Sequence, residues 1–200
     1  MSFTKEQFPS LHRFSLEQYY ELGELGLLDR RTELLDGVII DMEPVSPWHA
    51  NIGDILSRIF NGGARGRFRV RVRYPINLGQ MSQPKPDLVL YRPGMWRGQH
   101  PGAADISLVV QISDSSLSFD LGEKLALYRA NGIQEYWVVD LKATQVHRFV
   151  APHFKSQHSR TALVVQHGLT LGLICENFSP GTAWEHPKNY LPTSSKRLWV

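Results

Sequence analysis

Asp87, Gln111 and Lys124 are the residues of this chain whose types and settings point to chemistry beyond packing. Asp87 follows Pro86 and leads into a short apolar run, Leu88-Val-Leu-Tyr91. Gln111 lies 24 residues further on, inside Leu108-Val-Val-Gln-Ile112. An amide in so apolar a run needs a partner, because burying it unpaired is costly. Two adjacent strands can bring such residues onto one face, where a carboxylate and an amide oxygen could share a hard cation. On a helical wheel Leu121, Leu125 and Tyr128 form a buried face, and Lys124 sits at its margin. A lysine there either snorkels outward or points at something anionic. The bland alternatives stay open: Asp87 as a turn or cap residue, Gln111 as a core amide satisfied by the backbone, Asp120 as a simple N-cap.

A second feature is a row of charge. No acidic residue stands between Asp54 and Asp87, and that stretch holds Arg58, Arg65, Arg67, Arg69, Arg71, Arg73 and Lys85, against a net charge of +3 for the whole chain. From Arg67 to Tyr74 arginine alternates with Phe68, Val70, Val72 and Tyr74, which predicts a strand with one core face and one basic face. Arg67, Arg69, Arg71 and Arg73 then suit either a phosphate backbone or an edge strand charged to block edge pairing.

The elements that must position these residues follow from the pattern. Ser15-Leu-Glu-Gln18 has the form of a capping box opening a first helix of about two turns, with Gly23 and Gly26 marking its end. Asp36-Gly37 between apolar pairs predicts a hairpin turn. Ser46-Pro47 starts a second helix with Trp48, Ile52, Ile55, Leu56, Ile59 and Phe60 on its apolar face, stopped by Gly62-Gly63. His49, near its start, reads as a packing or capping residue. Strands are predicted at Asp87 to Tyr91, at Ile106 to Ile112 in the centre of a sheet, at Tyr136 to Leu141 and at Gln145 to Val150. A third helix opens at the capping-box shape Asp120-Leu-Gly-Glu123 and ends near Asn131-Gly132. Edge strands are expected at Leu163 to Val165 and Leu169 to Leu173, and residues 177–200 form an irregular tail. The expectation is a single α/β domain over residues 1–200, with a mixed sheet flanked by helices.

Composition narrows the function classes. The chain of 200 residues is 42% hydrophobic and 20% charged, which is neither a disordered nor a membrane composition. No apolar run spans a bilayer, and Met1 to Arg13 has no apolar signal region, so a cytoplasmic protein is expected. One cysteine, Cys175, rules out an internal disulfide and a cysteine zinc cage. His147, His153, His158 and His167 lack zinc-motif spacing. There is no nucleophile elbow, phosphate-cradling loop or dinucleotide fingerprint.

Over residues 15–150 the chain resembles the Uma-type putative restriction endonuclease family of PD-(D/E)XK nucleases. The resemblance rests on Asp87, the strand near Gln111, the run SDSSLSFDLGEKLALYRANGIQEYWVVDL from Ser113 to Leu141, and RTELLDGVIIDMEPVSPWHANIGDIL from Arg31 to Leu56. It implies a restriction-endonuclease-like core and a phosphodiesterase acting on DNA with Mg2+ or Mn2+. Asp87 matches the acidic residue of the PD half-motif and would hold the metal. Gln111 falls where the family has a glutamate, so weakened metal affinity is expected. Ser113 stands at the usual lysine position, and Lys124 is a migrated replacement. Glu33 matches an acidic residue that helps the metal or its water; beside Arg31 it also suits a surface ion pair. A homodimer is expected from the habit of such nucleases. The alternative is a nuclease fold that no longer cleaves and binds nucleic acid or a protein through its basic strand; a purely structural subunit would not bind DNA even at low salt.

Overall fold

Ser15 opens the first helix as its sequence predicts. The computed structural model of the chain describes residues 12–28, 31–64, 66–94, 98–154 and 157–159. The Ser15 side chain accepts from the Gln18 N–H at 3.2 Å and the Gln18 side chain accepts from the Ser15 N–H at 2.9 Å, so the box is closed. Helix α1 runs Leu16–Glu24, through Gly23 rather than ending at it. Glycine costs a helix about 1 kcal/mol but does not break it; the chain leaves the helix where Gly26 takes φ +71°. Strands β1 (Thr32–Leu35) and β2 (Val38–Asp41) form the predicted hairpin. Asp36 and Gly37 both take positive φ, 49° and 76°, as a tight two-residue turn requires. The expected N-terminal features before His12, the strands at 163–165 and 169–173, Cys175, His167 and the tail from 177 lie outside the described residues.

Helix α2 (Pro47–Ala64) likewise passes through Gly62 and Gly63. Gly66, at φ +78°, ends it instead. Ile52, Leu56 and Phe60 bury its inner face, whereas Trp48, expected on that face, is 43% exposed. The main sheet follows: β3 (Arg69–Val72), β4 (Leu88–Tyr91), β5 (Ile106–Ser113), β6 (Glu135–Asp140), β7 (Gln145–Val150) and β8 (Gln157–Ser159), in that spatial order. Among the described strands only β5 and β6 pair in parallel. Their crossover is helical: α3 (Leu117–Phe119), a π-helical turn Asp120–Lys124, then α4 (Leu125–Ala130). Asp120 is therefore not the N-cap expected for it. Ser116 occupies that place, and Asp120 lies buried inside the helix.

The sheet is covered on both faces. Ile52, Leu56 and Phe60 pack on Leu88, Leu90, Leu108, Val110 and Ile112. On the other face Tyr128 joins Val89, Tyr91, Val109, Tyr136 and Val138. This double cover explains why β5 reads as an almost unbroken apolar run, and why one polar residue in it, Gln111, carries information. The fold is the mixed α/β class expected. Strand β3 is shorter than the alternation suggested. Arg67 precedes it, Arg73 at φ 54° follows it, and Tyr74, expected in the core, is 58% exposed.

Candidate active site

Register brings the first two residues together. In the antiparallel β4–β5 pair Leu88 lies opposite Val110, so Asp87, one step earlier, falls beside Gln111, one step later. Both share the parity of Val89 and Val109 and hence the face covered by α4. The Asp87 carboxylate is locked at both oxygens. Its Oδ2 accepts from the Ile112 N–H at 2.8 Å, and its Oδ1 lies 2.7 Å from His49 Nε2. Ser46 accepts from the His49 N–H at 3.2 Å, so the capped first turn of α2 carries the imidazole to Asp87.

Lys124 reaches the same place from the helix. It is 6% exposed, and its Nζ lies 2.9 Å from Glu33 Oε1. The other Glu33 oxygen accepts from the Lys85 N–H at 2.9 Å, which ties β1 to the segment leading into Asp87. The π-helical turn is what buries Asp120 and Lys124 in one helix; such insertions frequently sit at functional sites. Ser113, on the same side of β5 as Gln111, is buried, and its hydroxyl lies 3.5 Å from that of Ser116.

Gln111 connects the two halves. A carboxylate only accepts and an ammonium only donates, so these neighbours orient the amide. Its nitrogen donates to Asp87 Oδ2 at 3.0 Å, and its oxygen accepts from Lys124 Nζ and the Tyr128 hydroxyl, both at 3.3 Å. Burial first, then the nearby Glu33 charge, pushes the Tyr128 hydroxyl well above its usual range, so it stays a donor. A continuous chain results: Lys85 N–H, Glu33, Lys124, Gln111, Asp87, His49. Asp120 stands at its margin, accepting from the Ser116 hydroxyl at 2.6 Å. Desolvation raises its carboxyl above the ordinary value despite that bond and the Lys124 charge.

All four residues singled out for catalysis, Asp87, Gln111, Lys124 and Glu33, meet in this network. Of the arginines, Arg73 comes within 3.9 Å of Asp87 Oδ1 through its Nε. Arg69 and Arg71, opposite Tyr91 and Val89, lie on the face of the sheet that carries Asp87. Sequence reasoning missed His49. The Ser46-Pro47 start locates its helix turn, but nothing local says where that turn points.

The fold is a mixed sheet covered by helices, with an acidic residue and an amide on adjacent strands and a lysine from the crossover helix at their meeting point. The chain belongs to the Uma2 family, described as "Putative restriction endonuclease", whose model matches residues 16–179. A solved relative, "a putative nuclease belonging to DUF820" from Anabaena variabilis, superposes with a TM-score of 0.60 at 16% identity, over 72% of this chain and 83% of its own. At that identity the likeness establishes the fold. No curated protein matches the chain.

Proposed function

We propose that the protein is a phosphodiester-hydrolysing nuclease acting on DNA through the Asp87–Gln111–Lys124 centre. The observation that carries this reading is the buried network itself, which spends an aspartate, a lysine and a glutamate where apolar packing would serve stability as well. Family membership supports the reaction class, and the arginines of β3 on the same face of the sheet supply charge for a backbone.

The donor set fits a hard dication held loosely. Asp87 offers a carboxylate, and Gln111 would offer its amide oxygen after a half-turn of the amide, at the cost of its bonds to Asp87 and Lys124, while its nitrogen would then donate to the Tyr128 hydroxyl at 3.3 Å. Glu33 fits the metal role less well, since its Oε1 is paired at 2.9 Å with the buried Lys124 ammonium, whose charge a dication there would oppose; its better role is to hold Lys124. Among the described residues no three His, Cys, Asp or Glu side chains converge as a ligand group. Magnesium or manganese, when bound, would supply charge neutralisation and a more acidic water. Lys124 would orient that water or neutralise charge on the scissile phosphate. His49 and the Ile112 N–H hold Asp87 in one orientation. Two copies of the chain would serve the two strands of a duplex.

The amide orientation also favours a second reading. With its nitrogen on Asp87, Gln111 completes the network without a metal, as in a protein that binds DNA but no longer cuts it. Nicking of supercoiled plasmid with magnesium or manganese separates the two. Native nicking that is lost in Asp87→Ala supports the enzyme. A silent native protein that Gln111→Glu activates supports the impaired site. If neither protein cuts, the hydrolytic reading falls.

A further inference from the structure

Beside the network lies a cleft that the hydrolytic chemistry does not use. It has a volume of about 760 Å³ and opens between α1, the end of β3 and the 98–100 loop. Its walls include Tyr20, Arg71, Tyr74, Asn77, Gln99 and His100, and among the described residues none that lines it is acidic. Tyr20 and Tyr74 are 45% and 58% exposed. The Arg71 guanidinium is held in place. It lies 4.9 Å from the Tyr91 ring centre and 5.7 Å from that of Tyr74, and its Nε donates to the Tyr91 hydroxyl at 2.9 Å. An amide and an imidazole stand in the same walls. Asn77 Oδ1 already accepts from the Gly79 N–H, which leaves its amide nitrogen to donate. His100 Nδ1 is buried without a hydrogen-bond partner among the described residues.

We propose that this cleft binds a single unstacked nucleotide of the DNA strand engaged by the site, with the base against the tyrosine rings and the phosphate toward Arg71. The inference rests on the nucleic-acid reading above and adds to it a preference for unpaired DNA. Three observations select this ligand. Exposed aromatic rings give unpaired bases a stacking surface that a duplex does not need. A guanidinium fixed on two rings is suited to a phosphate. The volume lies in the range of pockets for single small ligands and is too small for stacked base pairs. Continuity adds a fourth: Arg71 is two residues from Arg73, which reaches Asp87, so a backbone tracking the arginines passes from the network to the cleft. Burial first, then the charges of Arg71 and Lys85, holds His100 below its ordinary range, so its ring enters the cleft neutral at neutral pH.

The test is fluorescence titration in EDTA, with the full chain and oligonucleotides carrying one 2-aminopurine. A single strand, a duplex with the probe in a one-base bulge, and a fully paired duplex are compared. Native protein is expected to change the probe's emission in the first two. Tyr74→Ala should weaken single-strand binding about ten-fold, Tyr74→Trp should restore it, and paired duplex should bind both variants alike. Tyr74 is exposed, and a thermal melt establishes that each variant folds. Equal single-strand affinity in native and Tyr74→Ala protein would overturn the inference. So would displacement of the probe strand by inorganic phosphate as readily as by deoxyadenosine monophosphate, which would make the cleft a phosphate site only. The plasmid assay keeps the two ideas apart. Nicking with no Tyr74 effect leaves the hydrolytic reading and removes the cleft; Tyr74-dependent binding without nicking does the reverse.

Discussion

Lys124 and Glu33 form an ion pair whose side chains are 8% and 3% exposed. Removing one partner leaves the other charge buried, which costs about 3–5 kcal/mol. Lys124→Met should therefore destabilise strongly in urea unfolding, and Glu33→Gln added to it should recover much of the loss. Additive losses would mean that the pair does not couple. Asp120 carries a different cost. Its folded pKa is raised, so its contribution to stability is fully present below the ordinary 3.8 and is lost as pH rises through the raised value. Asp120→Asn keeps an acceptor for Ser116 and removes the buried charge. Relative to native protein it should gain stability as pH rises above the ordinary value, level off once the raised pKa is passed, and gain nothing below the ordinary value. A difference in unfolding free energy that is flat with pH would refute the buried-charge account. Among these residues Asp87 was legible because it precedes a strand in a family motif, and Gln111 because it interrupts an apolar run. His49 was not, since its partner is 38 positions away.

The hairpin shows how an element positions a residue it barely resembles. Glu33 is held because β1 pairs with β2 and because Gln83 N–H donates to Leu34 O at 2.7 Å. Gly37 makes the turn possible: its φ is +76°, and a β-carbon there would approach Arg13 Cβ to 2.5 Å and Met81 Cε to 2.8 Å. Gly37→Ala should cost about 1–3 kcal/mol through strain at that angle, read as a lower thermal midpoint. Part of any activity should go with it, since Lys124 loses its anchor. An unchanged midpoint would show that the turn yields without cost. The hairpin, the second helix and β5 were legible because each rests on local turn chemistry or periodicity. Helix ends were less so. Gly23, Gly62 and Gly63 are helical, and the stops fall at Gly26 and Gly66, where positive φ is required. Glycine composition alone cannot distinguish tolerance from termination. The third helix was misjudged at its start because Asp120-Leu-Gly-Glu123 has a capping-box shape inside the helix, whereas Ser116 at the actual start makes no side-chain cap bond.

At the scale of the molecule, the arginines of β3 have two possible uses, and the sheet order bears on both. Among the described strands β3 lies at the edge, as a charged row guarding an edge would, yet its basic face is the one that carries Asp87. DNA binding should weaken with salt, and Arg69→Ala with Arg73→Ala should make the slope of log affinity against log salt shallower by about 0.9 per lost phosphate contact. A slope unchanged by both substitutions would leave the row as edge protection. Among the described residues no helix is long and apolar enough to cross a membrane.

By itself the sequence determined the mixed α/β class, the hairpin, the central strand and the residues worth testing, because periodicity and turn chemistry act between near neighbours in the chain. Only the tertiary structure decided that Glu33 grips Lys124, that Gln111 turns its nitrogen to Asp87, that His49 completes the carboxylate's bonding, and that the arginines and the tyrosine cleft share the site's surroundings. Those are contacts between segments distant in sequence, fixed by strand register and by which donor meets which acceptor once water is excluded.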